Sequence, residues 1–181
     1  MTEQGLIEEC KAGNLQSFRK LIVSTSPFVF SIAFRMLQDE DLAKDVVQET
    51  MVTVWQKLRN IKSAGSFKTW VYRIAVNKCY DCLRKIKKNA EFRIDDKTWE
   101  IISGRIPDQP DTYLENEEIG RLLNFMVRKL SPRQQVVFIL SEIEEKDSDE
   151  VSRITGMTKT LVKANLYYAR KKISAMMEKY M

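Results

Sequence analysis

The stretch from Ser66 to Lys88, SFKTWVYRIAVNKCYDCLRKIKK, holds the densest chemistry in the chain. Phe67, Trp70 and Tyr72 stand near its start. Lys68, Arg73, Lys78, Arg84, Lys85, Lys87 and Lys88 are set against a single acid, Asp81. Apolar residues recur at Trp70, Val71, Ile74, Ala75 and Leu83 with cations between them. That is the pattern of a helix with one side in a core and the other strongly positive. Cations beside aromatic rings suit single-stranded nucleic acid, because the charges meet phosphates while rings or apolar walls receive unstacked bases. Taken alone, the stretch fits an ordinary amphipathic helix with a solvated face equally well.

A second cluster lies near the C-terminus. Thr155-Gly156-Met157 reads as a tight turn between a short helix carrying Val151 and Ile154 and a longer one striped by Val162, Leu166, Ala169 and Ile173. Short helix, glycine turn and second helix make a helix-turn-helix pattern. The second helix offers Lys159, Lys163, Asn165, Tyr167, Tyr168 and Arg170, with no acid between Lys159 and Lys172. Lys, Arg and Asn suit the base edges and phosphates of a major groove. A third group has the opposite sign: Asp45, Gln48 and Glu49 share the polar side of a helix over 41–58. Such a face is either plainly solvated or docks on a basic partner surface.

Other chemistries find little footing. The chain has no histidine, which removes the commonest general base and the commonest metal ligand. No Gly-rich phosphate loop occurs, and no serine or carboxylate sits in a nucleophile motif. The expectation is a protein without catalytic residues, metal or cofactor. Cys10, Cys79 and Cys82 leave one thiol unpaired in any disulfide scheme, and reduced cytoplasmic thiols are expected. The N-terminus, MTEQGLIEECKAGN, is acidic and polar rather than signal-like, and no apolar run approaches the roughly 20 residues that span a bilayer. A net charge of +5 permits a polyanionic partner, and its concentration in the two basic stretches says more than the total.

These groups need helices to position them. Glycine (6) and proline (4) are scarce and 44% of residues are hydrophobic, so an all-α chain with a real core is expected. Residues 5–13 read as a short helix ended by Gly13, and Asn14 caps the next. Leu15, Phe18, Leu21 and Ile22 begin an apolar stripe, Pro27 marks a break or restart, and Phe28, Val29, Ile32, Ala33, Met36 and Leu37 continue it. Asp39-Glu40-Asp41 opens a helix whose buried stripe is read as Leu42, Ala43, Val46, Val47, Thr50, Val54, Trp55 and Leu58. Residues 59–66 form a loop by composition. Periodicity fails from 90 to about 112, where Gly104, Pro107 and Pro110 mark a flexible linker. Helical spacing resumes over 113–130. Ser131-Pro132 starts another helix, and Asp147 with Glu150 has capping-box spacing before the helix-turn-helix. The layout is two small helical domains, 1–89 and 113–181, joined by 90–112.

Together these pieces resemble the extracytoplasmic-function class of bacterial RNA polymerase sigma factors. The resemblance rests on Asp45-Val46-Val47-Gln48-Glu49-Thr50, on Phe67-Lys68-Thr69-Trp70-Val71-Tyr72-Arg73-Ile74-Ala75-Val76-Asn77, and on Val162 to Ile173. It implies a promoter-specificity subunit with no activity of its own. Asp45, Gln48 and Glu49 are then expected to grip the clamp helices of the polymerase beta-prime subunit, with the beta flap as a further contact. Ser66 to Lys88 is expected to melt and read the minus-10 element. Ile61, Tyr72, Ile74 and Asn77 fall at positions that surround a flipped base, and Arg73, Lys78, Arg84, Lys85, Lys87 and Lys88 stand near the strand. Trp70 is assigned to the core. Lys159, Lys163, Asn165, Tyr167, Tyr168, Arg170 and Lys171 are expected at the minus-35 duplex. An anti-sigma factor is implied, as are a cytoplasmic, nucleoid-associated location and no membrane insertion. The chain departs from the family pattern where Glu145-Lys146-Asp147-Ser148 replaces the commoner Gly-Leu-Ser, and at Ala164 and Asn165.

A free-standing helix-turn-helix regulator is the competing reading, and it leaves the acidic face at 41–58 without a purpose. A redox module built on Cys79 and Cys82 is a third.

Overall fold

The computed structural model describes residues 3–61, 67–93 and 115–179, which are helical with no strand among them. In chain order the helices are α1 (Glu3–Lys11), α2 (Leu15–Leu37), α3 (Glu40–Lys57), α4 (Phe67–Arg93), α5 (Glu115–Arg128), α6 (Pro132–Phe138), α7 (Ser148–Thr155) and α8 (Lys159–Met177). A 3-10 turn, Leu58–Asn60, follows α3, and a π turn, Ile139–Ile143, extends α6. Ser66, the rest of the expected loop at 62–65, and the linker at 94–112 lie outside the described residues, as does the side chain of Lys87. Helix α4 continues through Arg93, past the boundary expected at 89.

Local chemistry sets the helix starts. Asn14 accepts hydrogen bonds from the backbone N–H groups of Gln16 and Ser17, Asp39 from Leu42, and Thr158 from Leu161. Each satisfies first-turn donors that have no partner within the helix. Ser131 and Gln134 form the reciprocal capping box, with Pro132 in the first turn. Asp147 accepts from Asp149 and Glu150 at 2.8 Å each. The Glu150 N–H foremost, and then that of Asp149, hold the Asp147 carboxyl below its ordinary value. Gly13 and Gly156 take positive φ at the ends of α1 and α7, where glycine has no Cβ to clash.

Pro27 does not break α2. A proline removes the hydrogen bond to the carbonyl four residues earlier. That residue is Val23, 74% exposed on the solvent side, where water can take the freed carbonyl. α2 thereby reaches 23 residues and is long and apolar enough, by composition, to cross a membrane. The sequence alone, with Pro27 marking a break, predicts no such span. Here it is a core helix: Leu21, Val29, Ile32, Ala33 and Met36 are buried against α3 and α4.

The two helical sets do not stand apart. Buried residues of α1–α4 and of α5–α8 belong to one continuous cluster. Helix α4 packs on α7, while α2 touches α5, α6 and the π turn. Gln135, 5% exposed, donates to the Met36 carbonyl at the end of α2 (3.3 Å), and Arg35 donates to Asn124 of α5 (3.3 Å).

Candidate nucleic-acid interface

Helix α3 presents Asp45, Gln48 and Glu49 to solvent because Ala43, Val46, Thr50, Met51 and Val54 take the inward positions. The expected buried stripe is only partly realised. Val47 is half-buried and Trp55 is 39% exposed, while Met51, unassigned from sequence, is inside. Trp55 rests on Phe18 of α2, with ring centroids 4.6 Å apart. Between α2 and α3 this leaves an open apolar groove of about 850 Å³, lined chiefly by Phe18, Ile22, Phe30, Val47, Met51 and Trp55. Periodicity marks the apolar side of each helix but does not say whether anything covers it.

Helix α4 is anchored by Phe67, Val71, Ala75, Val76 and Cys79. Arg73 and Asn77 are exposed, Ile74 and Lys78 half-buried, and Arg84, Lys85 and Lys88 exposed. Ile61, closing the 3-10 turn, is half-buried against the core. Trp70 is half-buried as well, short of the full burial its core assignment implies. Burial, and less strongly the nearby Cys82, pushes the Cys79 thiol up to about 12, which keeps it protonated and unreactive.

Two expected sites meet here. Lys78 Nζ lies 2.9 Å from a Glu49 carboxylate oxygen. The pair sits in a mixed-charge groove of about 400 Å³ between α3 and α4, which Asp45, Asp81, Arg84 and Lys85 also line. The two side chains are 30% and 59% exposed, so the pair contributes about 1 kcal/mol or less, and a phosphate or a protein partner can displace it. Arg84 is likewise paired with Asp81 one turn away.

Tyr72 sits elsewhere than its neighbours. It is 1% exposed, packed at a tilt on Phe28 at 4.6 Å between centroids, and its hydroxyl donates to Glu144 Oε2 at 2.8 Å. Burial first, and then the Glu144 bond, drives its phenol pKa well above the ordinary value. Asn77 and Arg84 line a crevice of about 770 Å³ opposite Arg133, Gly156 and Leu161. Tyr80 lines the same crevice. Its hydroxyl is enclosed with no partner among the described residues, and burial raises its pKa to about 12. Arg73 and Trp70 line a second crevice beside Ser152 and Arg153.

Helix α8 is held by Val162, Ala169 and Ile173 against α6 and α7. Lys159, Lys163, Tyr167, Tyr168, Arg170 and Lys171 are exposed. Tyr167 and Tyr168 stand edge-on to each other at 5.4 Å. Asn165, half-buried, donates from its amide to the Leu161 carbonyl (2.8 Å). Arg170 is turned onto Glu142 of the π turn (3.0 Å), and Lys159 onto Asp149. The helix-turn-helix geometry is therefore in place: α7, a left-handed glycine, then α8 with a cationic and aromatic outer face.

The comparisons agree with this arrangement. The Sigma-70 region 2 family matches residues 21–89, which hold α3 and α4, and the Sigma-70 region 4 family matches 116–173, which hold the helix-turn-helix. The chain is 29% identical over 171 residues to the RNA polymerase sigma factor SigV of Bacillus subtilis, covering 94% of this chain and 90% of that protein. It is 25% identical over 179 residues to the ECF RNA polymerase sigma-E factor of Escherichia coli K12, covering 96% and 93%. Two solved structures share the fold at a TM-score of 0.71. One is CnrH with the cytosolic domain of CnrY, 20% identical and covering 98% of this chain and 97% of that one. The other is the sigma factor RpoE with the anti-sigma factor NepR from Bartonella quintana, 19% identical and covering 90% and 98%. With region 2 carrying the acidic and basic helices and region 4 the helix-turn-helix, the chain belongs to the extracytoplasmic-function class of RNA polymerase sigma factors.

Proposed function

We propose that this sigma factor joins core polymerase through the exposed acidic side of α3 and then reads its promoter with two helices of different chemistry. Asp45, Gln48 and Glu49 project from one face of a rigid helix, the arrangement that a basic helical surface such as the beta-prime clamp helices fits. Helix α8 lies in the minus-35 major groove, with Lys163, Tyr167 and Tyr168 toward base edges and Arg170 and Lys171 toward phosphates. The beta flap is the assigned polymerase contact for this half. Helix α4 takes the separated minus-10 strand. Asn77 carries both a donor and an acceptor for a base edge, and Ile61, Tyr72 and Ile74 supply apolar walls. Flipping a base out of the stack costs a few kcal/mol, which these contacts and the cations Arg73, Lys78, Lys85 and Lys88 must offset.

The observation that carries the reading is the juxtaposition, along one core, of an acidic docking face, a basic aromatic helix and a helix-turn-helix. A free-standing helix-turn-helix regulator uses only the last of these. An anti-sigma factor is the regulatory partner in this reading, and the apolar groove between α2 and α3 is the surface we assign to an amphipathic helix of such a protein. The setting is cytoplasmic, at the nucleoid. Run-off transcription with purified core polymerase on genomic promoter fragments tests the whole reading. Chain-dependent transcripts are expected. A chain that neither binds core nor starts any transcript overturns it.

A further inference from the structure

We infer that the free chain shields its own strand-reading helix, with Glu144 and Lys146 of the C-terminal half acting as a clasp over Tyr72, an inference that rests on reading α4 as the single-strand surface. The Glu144 carboxylate receives two donors from the N-terminal half. Ser31 Oγ of α2 lies 3.0 Å from Oε1, and the Tyr72 hydroxyl of α4 lies 2.8 Å from Oε2. Lys146 Nζ stands 5.6 Å from the centroid of the Tyr72 ring, which also packs against Phe28. Tyr72 is thus enclosed by both halves of its own chain.

The backbone at this point is built for the contact. Glu144 closes the π turn by donating its N–H to the Ile139 carbonyl (2.9 Å), and Lys146 donates to that of Leu140 (2.8 Å). Between them Glu145 takes a left-handed φ of 52°, a conformation that glycine adopts freely and other residues rarely. This is where the sequence departs from the family's Gly-Leu-Ser. The departure keeps the glycine-like geometry and the capping role, the latter through Asp147, and places the Lys146 cation over the ring that a base is meant to meet.

The shielding reaches beyond one side chain. Asn77 and Arg84 look into a crevice whose far wall is Ser131–Arg133 and the turn Thr155–Thr158, and Arg73 into one walled by Ser152, Arg153 and Gly156–Thr158. A nucleotide strand and the C-terminal half thus compete for the same side of α4. No such competition touches Lys163, Tyr167 and Lys171, which stay exposed. In the closed chain the duplex-reading face is open while Tyr72 is covered, so the halves must part before Tyr72 can meet a base.

Small-angle scattering of the unmodified chain is the first test. A closed chain of this length has a radius of gyration near the compact value of about 16 Å. The second test compares it with Glu144→Ala and Glu144→Lys, reading the radius of gyration, far-UV circular dichroism, and binding to a labelled oligo-dT single strand. The expected result is a larger radius in both variants at unchanged helix content, with Glu144→Lys the more open, and tighter oligo-dT binding. An extended wild-type particle, or folded variants with the wild-type radius and oligo-dT affinity, overturns the inference. Failure of the sigma-factor reading shows separately, as a wild-type chain that does not bind core polymerase.

Discussion

Two helices in this chain are assigned to DNA in the proposed function, and the fold treats them in opposite ways. On α8 the aromatic residues Tyr167 and Tyr168 are 61% and 55% exposed, on a face that none of the described elements covers. On α4 the corresponding aromatic, Tyr72, is 1% exposed and bonded to the other half of the molecule. The cations differ less. Lys78 on α4 and Arg170 on α8 both hold weak, half-open ion pairs that a phosphate can displace. Duplex DNA presents its groove ready-made, so its reader can remain open. A single strand exists only after melting, and a permanently open aromatic and cationic surface would bind any strand at hand.

Five measurements sharpen or break this contrast. The largest effect is expected from alkali and concerns α4. Cys79 and Tyr80 ionise only near pH 12 in the folded chain, against ordinary values of 9.0 and 10.0. Between pH 9 and 12 the unfolded chain therefore binds fewer protons than the native one, and stability falls as pH rises. The loss is on the order of several kcal/mol. Urea midpoints at about pH 8 and about pH 11 read it, and equal midpoints would show that α4 is less buried than described.

Next come the reading faces themselves. Asn77→Ala should lower promoter opening by roughly 10- to 100-fold, the weight of a lost base-edge contact of about 1–3 kcal/mol, and leave core binding intact. Lys171→Ala, on the phosphate side, should instead weaken duplex binding for all sequences and reduce the salt slope by about 1. Equal loss of core binding in Asn77→Ala would mark a folding defect instead. An effect of similar size belongs to the clasp. Tyr72→Phe removes a bond to a carboxylate worth about 1.5–3 kcal/mol, so the melting temperature should fall by several degrees. An unchanged melting temperature would mean that the Tyr72–Glu144 bond is not formed in solution. The smallest is Glu145→Gly, which relieves left-handed strain and should raise stability by about 1 kcal/mol or less. A loss there would show that the Glu145 side chain itself supports the clasp.

Much of the scaffold could be read from local chemistry. Asn14, Asp39, Ser131, Asp147 and Thr158 all cap helices where their types and spacing place them, because a cap is settled within four residues. The turn at Gly156 and the stripe on α8 belong to the same class. What failed were judgements that depend on distant neighbours. Pro27 was expected to interrupt α2, and the exposed side of the helix absorbs it. Val47 and Trp55 have core spacing but border a groove, since none of the described elements lies over them.

The candidate site divides along the same line. Asp45, Gln48, Glu49, Lys163 and Lys171 are exposed as their helical positions require. The pairings Lys78–Glu49, Arg170–Glu142 and Tyr72–Glu144 join residues 29, 28 and 72 positions apart. No periodicity carries such information. The one local signal was the unusual Glu145-Lys146-Asp147-Ser148, which marks the segment that reaches across to Tyr72.

Permanganate probing of unpaired thymines on a cognate promoter tests the central claim most directly. The account predicts reactive thymines near the start site when core polymerase and this chain are both present, and none with either alone. Reactivity produced by the chain without core, or its absence with both present on a bound promoter, would contradict it.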